Sequence, residues 1–142
     1  MPNLDYAKLK IKLPYPARTR VMLSTHPLAA ARQRVAEIDS AELRRRVAAG
    51  ARLIDVREPY EFSQGHLHGA INLPLSRLPL LLAEDPSLAD LLSRDSDLVI
   101  YCRSGGRSAV AACALLDHGC ARVVSLAGGL QQWHSTPTPS GD

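Results

Sequence analysis

The rhythm of apolar and polar positions along the chain changes at about residue 38. Before that point, only Lys8-Leu-Lys-Ile-Lys-Leu13 alternates with the period of a strand, and no hairpin signal follows it. An alanine-rich stretch then predicts a short helix over residues 28–35. After residue 38 the signals switch regularly between helix and strand. Asp39-Ser40 offers an N-cap, Leu43 and Val47 share one helical face, and Gly50 ends that helix. Residues 52–56 predict a buried strand, Pro59 opens a brief helix ending at Gly65, and residues 70–72 predict the next strand. The leucine-rich region 75–92, broken by Pro79 and Pro86, predicts two short helices lying over a sheet. A strand at 97–101, a helix at 107–118 stopped by Gly119, a strand at 122–125 and a last turn around Trp133 complete the pattern, without internal repeat. Such alternation predicts an α/β fold, a parallel sheet with helices on both faces.

Composition narrows this picture. The chain has 142 residues, enough for one domain and a short appendage. Hydrophobic residues at 46% and charged residues at 22% fit a globular chain, and aromatics at 4% leave the core to aliphatic side chains. No apolar run approaches the length of about 18 residues that a membrane span requires, and the first thirty residues lack the apolar segment of a secretory signal. A cytoplasmic location is the resulting expectation. Charge is uneven. Residues 1–34 carry seven basic side chains against Asp5, a net +6, whereas the remainder is −3. The expected organisation is therefore a loosely attached basic arm over 1–34, a domain over 35–134 and a disordered tail over 135–142. Because the basicity belongs to the arm, nucleic acid is not an expected partner.

One segment concentrates chemistry. In Val99-Ile-Tyr-Cys-Arg-Ser-Gly-Gly-Arg-Ser108 a buried strand runs into Cys102, then a loop of Arg103, Ser104, Gly105, Gly106 and Arg107, then a helix beginning near Ser108. Ligands of open parallel sheets bind beyond the carboxyl ends of the strands, where Cys102 falls. Loop N–H groups, the helix dipole and the two arginines together form an anion nest that favours a nucleophilic thiolate. An ordinary strand-to-helix turn with an inert thiol is the plainer alternative, but it does not require two arginines, two glycines and two serines.

The chain resembles the rhodanese family in its single-domain form over about residues 36–134. Leu53-Ile-Asp-Val-Arg-Glu-Pro-Tyr-Glu-Phe62, Gly65-His-Leu-His-Gly-Ala-Ile-Asn-Leu-Pro74, Cys102-Arg-Ser-Gly-Gly-Arg-Ser108 and Leu126-Ala-Gly-Gly-Leu-Gln-Gln-Trp133 carry the resemblance in the family's order. It departs at His68, where the family usually has proline, and in the basic arm. The resemblance implies a five-stranded parallel sheet flanked by helices, and a persulfide on Cys102 loaded from a small sulfur donor, typically thiosulfate. The acceptor would be cyanide, a thiol or a protein, and no cofactor is expected. It also implies that Asp55 and Arg57 form an ion pair shaping the rim of the site, or that Arg57 meets an anionic donor. A weak surface salt bridge is the alternative.

Other residues carry plainer expectations. Glu58 and Glu61 suit a helix start, with Glu61 able to pair with a loop arginine. His66 and His68 lack partners for a metal site, and His66 is expected to bond backbone. Cys113 and Cys120 read as core fillers, with a resolving-thiol role as the alternative. Trp133 is expected to anchor packing, and residues 44–46 to form a solvated arginine face. Two rival functions remain. Thiolate phosphatases and arsenate reductases also place glycine and arginine after a cysteine, but the family's phosphatase branches use five intervening residues, and here four separate Cys102 from Arg107. A non-catalytic docking module is the other rival.

Overall fold

A computed structural model describes residues 28–135, with side chains through Trp133. The alternating segment at 8–13, read as part of a loosely attached arm, and the tail beyond residue 135 lie outside the described residues. In chain order the elements are α1 (Leu28–Arg34), β1 (Ala36–Ile38), α2 (Ser40–Ala48), β2 (Arg52–Asp55), α3 (Pro59–Ser63) and β3 (Ile71–Asn72). They continue with α4 (Leu78–Glu84), β4 (Asp97–Tyr101), α5 (Gly106–His118), β5 (Arg122–Leu126) and α6 (Gly129–Ser135). Short 3-10 turns at Leu75–Arg77 and Pro86–Leu88 bracket α4, where the leucine pattern suggested two helices.

The five strands form one parallel sheet in the order β1-β5-β4-β2-β3. β4 sits at its centre and, after Asp97, is apolar at every position because both of its faces are covered. Leu98 and Ile100 join Ile54 and Val123 in the core under α1, α4 and α5. Val99 and Tyr101 turn to the other face, with Leu53, Val124, Leu43 of α2, and Leu130 and Trp133 of α6. Period-two alternation along one strand thus feeds two cores. β1 is the strand absent from the hydrophobic pattern. It is three residues long, lies on the sheet edge against β5 alone, and leaves Ala36 and Glu37 exposed, so no apolar signature was needed to place it.

The N-terminal boundary needs correction. Residues 28–34, expected to belong to a loose arm, form α1, and Ala31 has 0% of its surface accessible within the main core. Alanine is small enough to bring α1 close to α5, and a bidentate contact from Arg34 to Asp117 (2.7 and 3.2 Å) fixes its end. Of the 1–34 segment, the described residues 28–34 are helical and pack on α5 through Ala31. Arg44 also departs from expectation: its guanidinium lies over the Trp133 ring, 4.3 Å from the centroid, rather than in a solvated row. Arg46 bonds Glu42 (2.9 Å) and reaches Asp97 (3.6 Å).

Candidate active site

Cys102 follows directly on β4 and is 1% exposed. Gly105, at φ +99°, takes a left-handed turn that a side chain would strain, and this turn aims its N–H at Cys102 Sγ, 3.0 Å away. Sγ also lies 3.5 Å from Ser108 Oγ in the first turn of α5. Ser108 donates to Gly105 O (3.1 Å) and sits 2.8 Å from Ser125 Oγ of β5. A hydroxyl has a single proton, so with Ser108 engaged on Gly105, Ser125 is the donor between the two. The Cys102 thiol donates to Ser108 Oγ, and the sulfur accepts the Gly105 N–H at the positive end of a helix, a place that favours an anion once the thiol proton is lost.

The outer side of the loop is held by α6. Leu130 N–H donates to Cys102 O and Gln131 N–H to Arg103 O, both at 2.9 Å. Gly129 permits this approach, since a Cβ there would strike Cys102 O and come within 2.6 Å of the Arg103 carbonyl. With its first carbonyls turned toward α6, the loop keeps an N–H facing the sulfur.

The arginines divide into paired and unpaired. Arg107 makes a bidentate contact with Glu61 (2.6 and 3.0 Å), which joins the loop to α3. Arg57 chelates Asp55 through Nε and Nη2 (2.8 to 3.1 Å), and Nη2 also donates to Gly65 O at 2.6 Å. Asp55 is 0% exposed and Arg57 7%, so this pair is interior, not a surface salt bridge. Asn72 supports it by donating to the carbonyls of Asp55 (3.0 Å) and Arg57 (2.9 Å). The Arg103 side chain is exposed and makes no hydrogen bond or ion pair with another described residue. It borders a cavity of about 910 Å³ together with Arg57, Tyr60, Gln64, His66 and Gln131. Ser104 and Gly106 complete the loop, Ser104 exposed and Gly106 opening α5.

The remaining candidates take structural positions. Glu58 caps α3 in a capping box, its N–H donating to Glu61 at 3.0 Å, and accepts from Ser76 Oγ. His66 Nδ1 lies 2.9 Å from Phe62 O, and its ring stacks on Phe62. No His, Cys, Asp or Glu cluster suited to a metal occurs among the described residues. Cys113 and Cys120 are buried, with Sγ 3.6 Å from Ala31 O and 3.3 Å from Leu92 O. Burial raises both thiols, Cys120 to about 11, which keeps them protonated. Sequence reasoning missed Ser125, and Tyr101, whose hydroxyl accepts from Leu67 N–H at 3.0 Å beneath the Arg57 pair. A serine inside the apolar run Val123-Val-Ser-Leu126 was the available signal for the first.

The rhodanese-like domain model matches residues 39–136, most of the chain and all of the loop. The chain belongs to the rhodanese-like domain family. A sulfurtransferase of Allochromatium vinosum is 40% identical over 107 residues, covering 72% of this chain and 94% of that protein. A thiosulfate sulfurtransferase of Stutzerimonas stutzeri is 38% identical over 88 residues, 62% of this chain and 74% of its own length. The solved structure of a human single-domain sulfurtransferase superimposes with a TM-score of 0.65 at 29% identity, covering 72% of this chain and 97% of that one. The five-stranded rhodanese fold is thus the fold of this protein, and the third signature motif is its Cys102 loop.

The Arg107 bridge gives this rhodanese loop a pH dependence. Hydrogen bonding to Arg107 lowers Glu61 from 4.5 to about 2. A depressed carboxyl contributes stability that is complete above pH 4.5 and is lost as the pH falls toward 2. Solvent screening at this partly open pair holds the contribution to about 1 kcal/mol or less. Thermal unfolding measured from pH 6 downward should show Glu61→Gln losing less stability than the parent over that window; parallel profiles would mean the bridge does not persist in solution.

Proposed function

We propose that the protein is a sulfurtransferase that carries sulfane sulfur on Cys102. Supporting this most directly is the burial of Cys102 Sγ in a short loop, with the Gly105 N–H 3.0 Å away and α5 starting behind it. The sulfurtransferase relatives support the chemistry in general. Thiosulfate as donor, with cyanide or a thiol as acceptor, is the finer reading. The Cys102 thiolate attacks the outer sulfur of thiosulfate, a new S–S bond forms as the old one breaks, and the electron pair leaves with sulfite. An acceptor thiolate or cyanide then takes the outer sulfur, and Cys102 departs as thiolate. Loop N–H groups and the helix dipole stabilise the anionic persulfide between the two steps. Arg107, held by Glu61, braces the loop, and the Asp55–Arg57 pair shapes the rim. This chemistry requires no cofactor, and the finer reading places it in the cytoplasm with a small thiol, cyanide or a protein as acceptor.

The loop length supports sulfur over phosphate, because four intervening residues form a smaller ring than a tetrahedral oxyanion fills. Incubation with thiosulfate should add the mass of one sulfur atom to the peptide containing Cys102. Thiosulfate:cyanide turnover should give parallel double-reciprocal lines, the signature of a double displacement. Intersecting lines, or no mass gain, would refute the proposal.

A further inference from the structure

The loop's own arginines leave a charge problem. A dianionic donor needs accessible positive charge near Cys102, yet Arg107 and Arg57 are each chelated by a carboxylate. Within the family-matched segment only Arg103 faces the cavity unpaired. A second unpaired cation comes from outside that segment, which begins at residue 39. A methyl group placed on Gly105 would lie 3.7 Å from Arg32 Nη2 of α1, and one on Gly106 would meet both Leu28 methyls at 3.8 Å. Gly105 is the residue whose N–H reaches the sulfur. The Arg32 side chain is exposed and makes no hydrogen bond or ion pair with another described residue. Its place is fixed by the helix that carries it, with Ala31 buried and Arg34 bound to Asp117.

We infer that Arg32 is a specificity-determining residue of the Cys102 site, an anion receptor supplied by α1 that favours negatively charged reactants over neutral ones. This rests on the sulfurtransferase reading for its donor but not for its charge selectivity. The guanidinium stands beside the loop on the side of α1, while Arg103 borders the cavity by α3 and α6, so an approaching anion meets cations from two directions. The alanines and Leu28 of α1 then serve to hold that charge beside the loop.

The test compares alkylation of Cys102 in the full chain by iodoacetate, an anion, and iodoacetamide, its neutral analogue, with the site of reaction confirmed by peptide mass. Arg32→Gln should slow iodoacetate about 5-fold at low salt and leave the iodoacetamide rate nearly unchanged, with the difference shrinking as salt rises. Arg32→Lys should recover much of the iodoacetate rate. Arg122→Gln, at the opposite end of the sheet, removes the same net charge and should keep the parent ratio. An unchanged ratio in Arg32→Gln, an equal loss in Arg122→Gln, or a parent protein that reacts with neither reagent would overturn the inference. Should thiosulfate fail to load the parent while the iodoacetate effect appears, the sulfurtransferase reading falls and the anion receptor stands.

Discussion

Cys102→Ser should abolish sulfur loading by thiosulfate and reduce turnover by at least about 10³-fold, the scale seen when a covalent nucleophile is removed. The loss is chemical, not conformational. A serine hydroxyl can accept the Gly105 N–H much as the sulfur does, but it does not ionise near neutrality and cannot hold a sulfane sulfur. The domain should therefore fold with little change in Tm. Cys113→Ser and Cys120→Ser should behave in the opposite way, retaining the mass gain while losing stability, because each thiol is buried among apolar side chains and kept protonated there. Sulfur found on residue 113 or 120 in the Cys102→Ser protein would reassign the nucleophile.

Arg57→Ala should cost about 3–5 kcal/mol of folding stability, the range for removing one partner of a buried ion pair. Asp55, with no exposed surface, would keep the residue 57 N–H at 2.9 Å but lose every guanidinium donor, and Gly65 O would lose its donor. Tm should fall by more than about 10 °C for a domain of this size. The double variant Asp55→Ala with Arg57→Ala should recover part of that loss, since much of the penalty is the orphaned carboxylate. A loss below 1 kcal/mol in the single variant would show that the pair is solvated after all.

What the sequence discloses and what it conceals follow from the range of the forces involved. β4 was legible because this central parallel strand is apolar at every position after Asp97, and α2 because Asp39 accepts the Glu42 N–H at 2.8 Å, a cap made within four residues. The Cys102 loop was legible for the same reason: cysteine, glycine turn and helix start are contiguous. β1 was not, because an exposed edge strand of three residues carries no hydrophobic signal. Ser125, Tyr101, Gln131 and Arg32 were also concealed, since each meets the site through the order of the strands or the seating of a helix. The distance from Arg32 to Gly105 in sequence conveys nothing of their proximity in space. The Glu61–Arg107 bridge lay between, offered by charge but needing the fold to bring β2 and β4 side by side.

The clamp from α6 sets a limit on what this scaffold can become. Cys102 and Arg103 are tied by their carbonyls to Leu130 and Gln131, while Gly106 and Arg107 already belong to α5. Only Ser104 and Gly105 lie between these anchors, so an inserted residue must enter there and carry the Gly105 N–H away from the sulfur. Ring size is thus gauged from outside the ring, by a glycine more than twenty positions downstream that leaves no room for a methyl group. A lineage drifting toward larger oxyanions would have to release α6 before lengthening the loop, and the intermediate would have lost its grip on the sulfur before gaining one on phosphate.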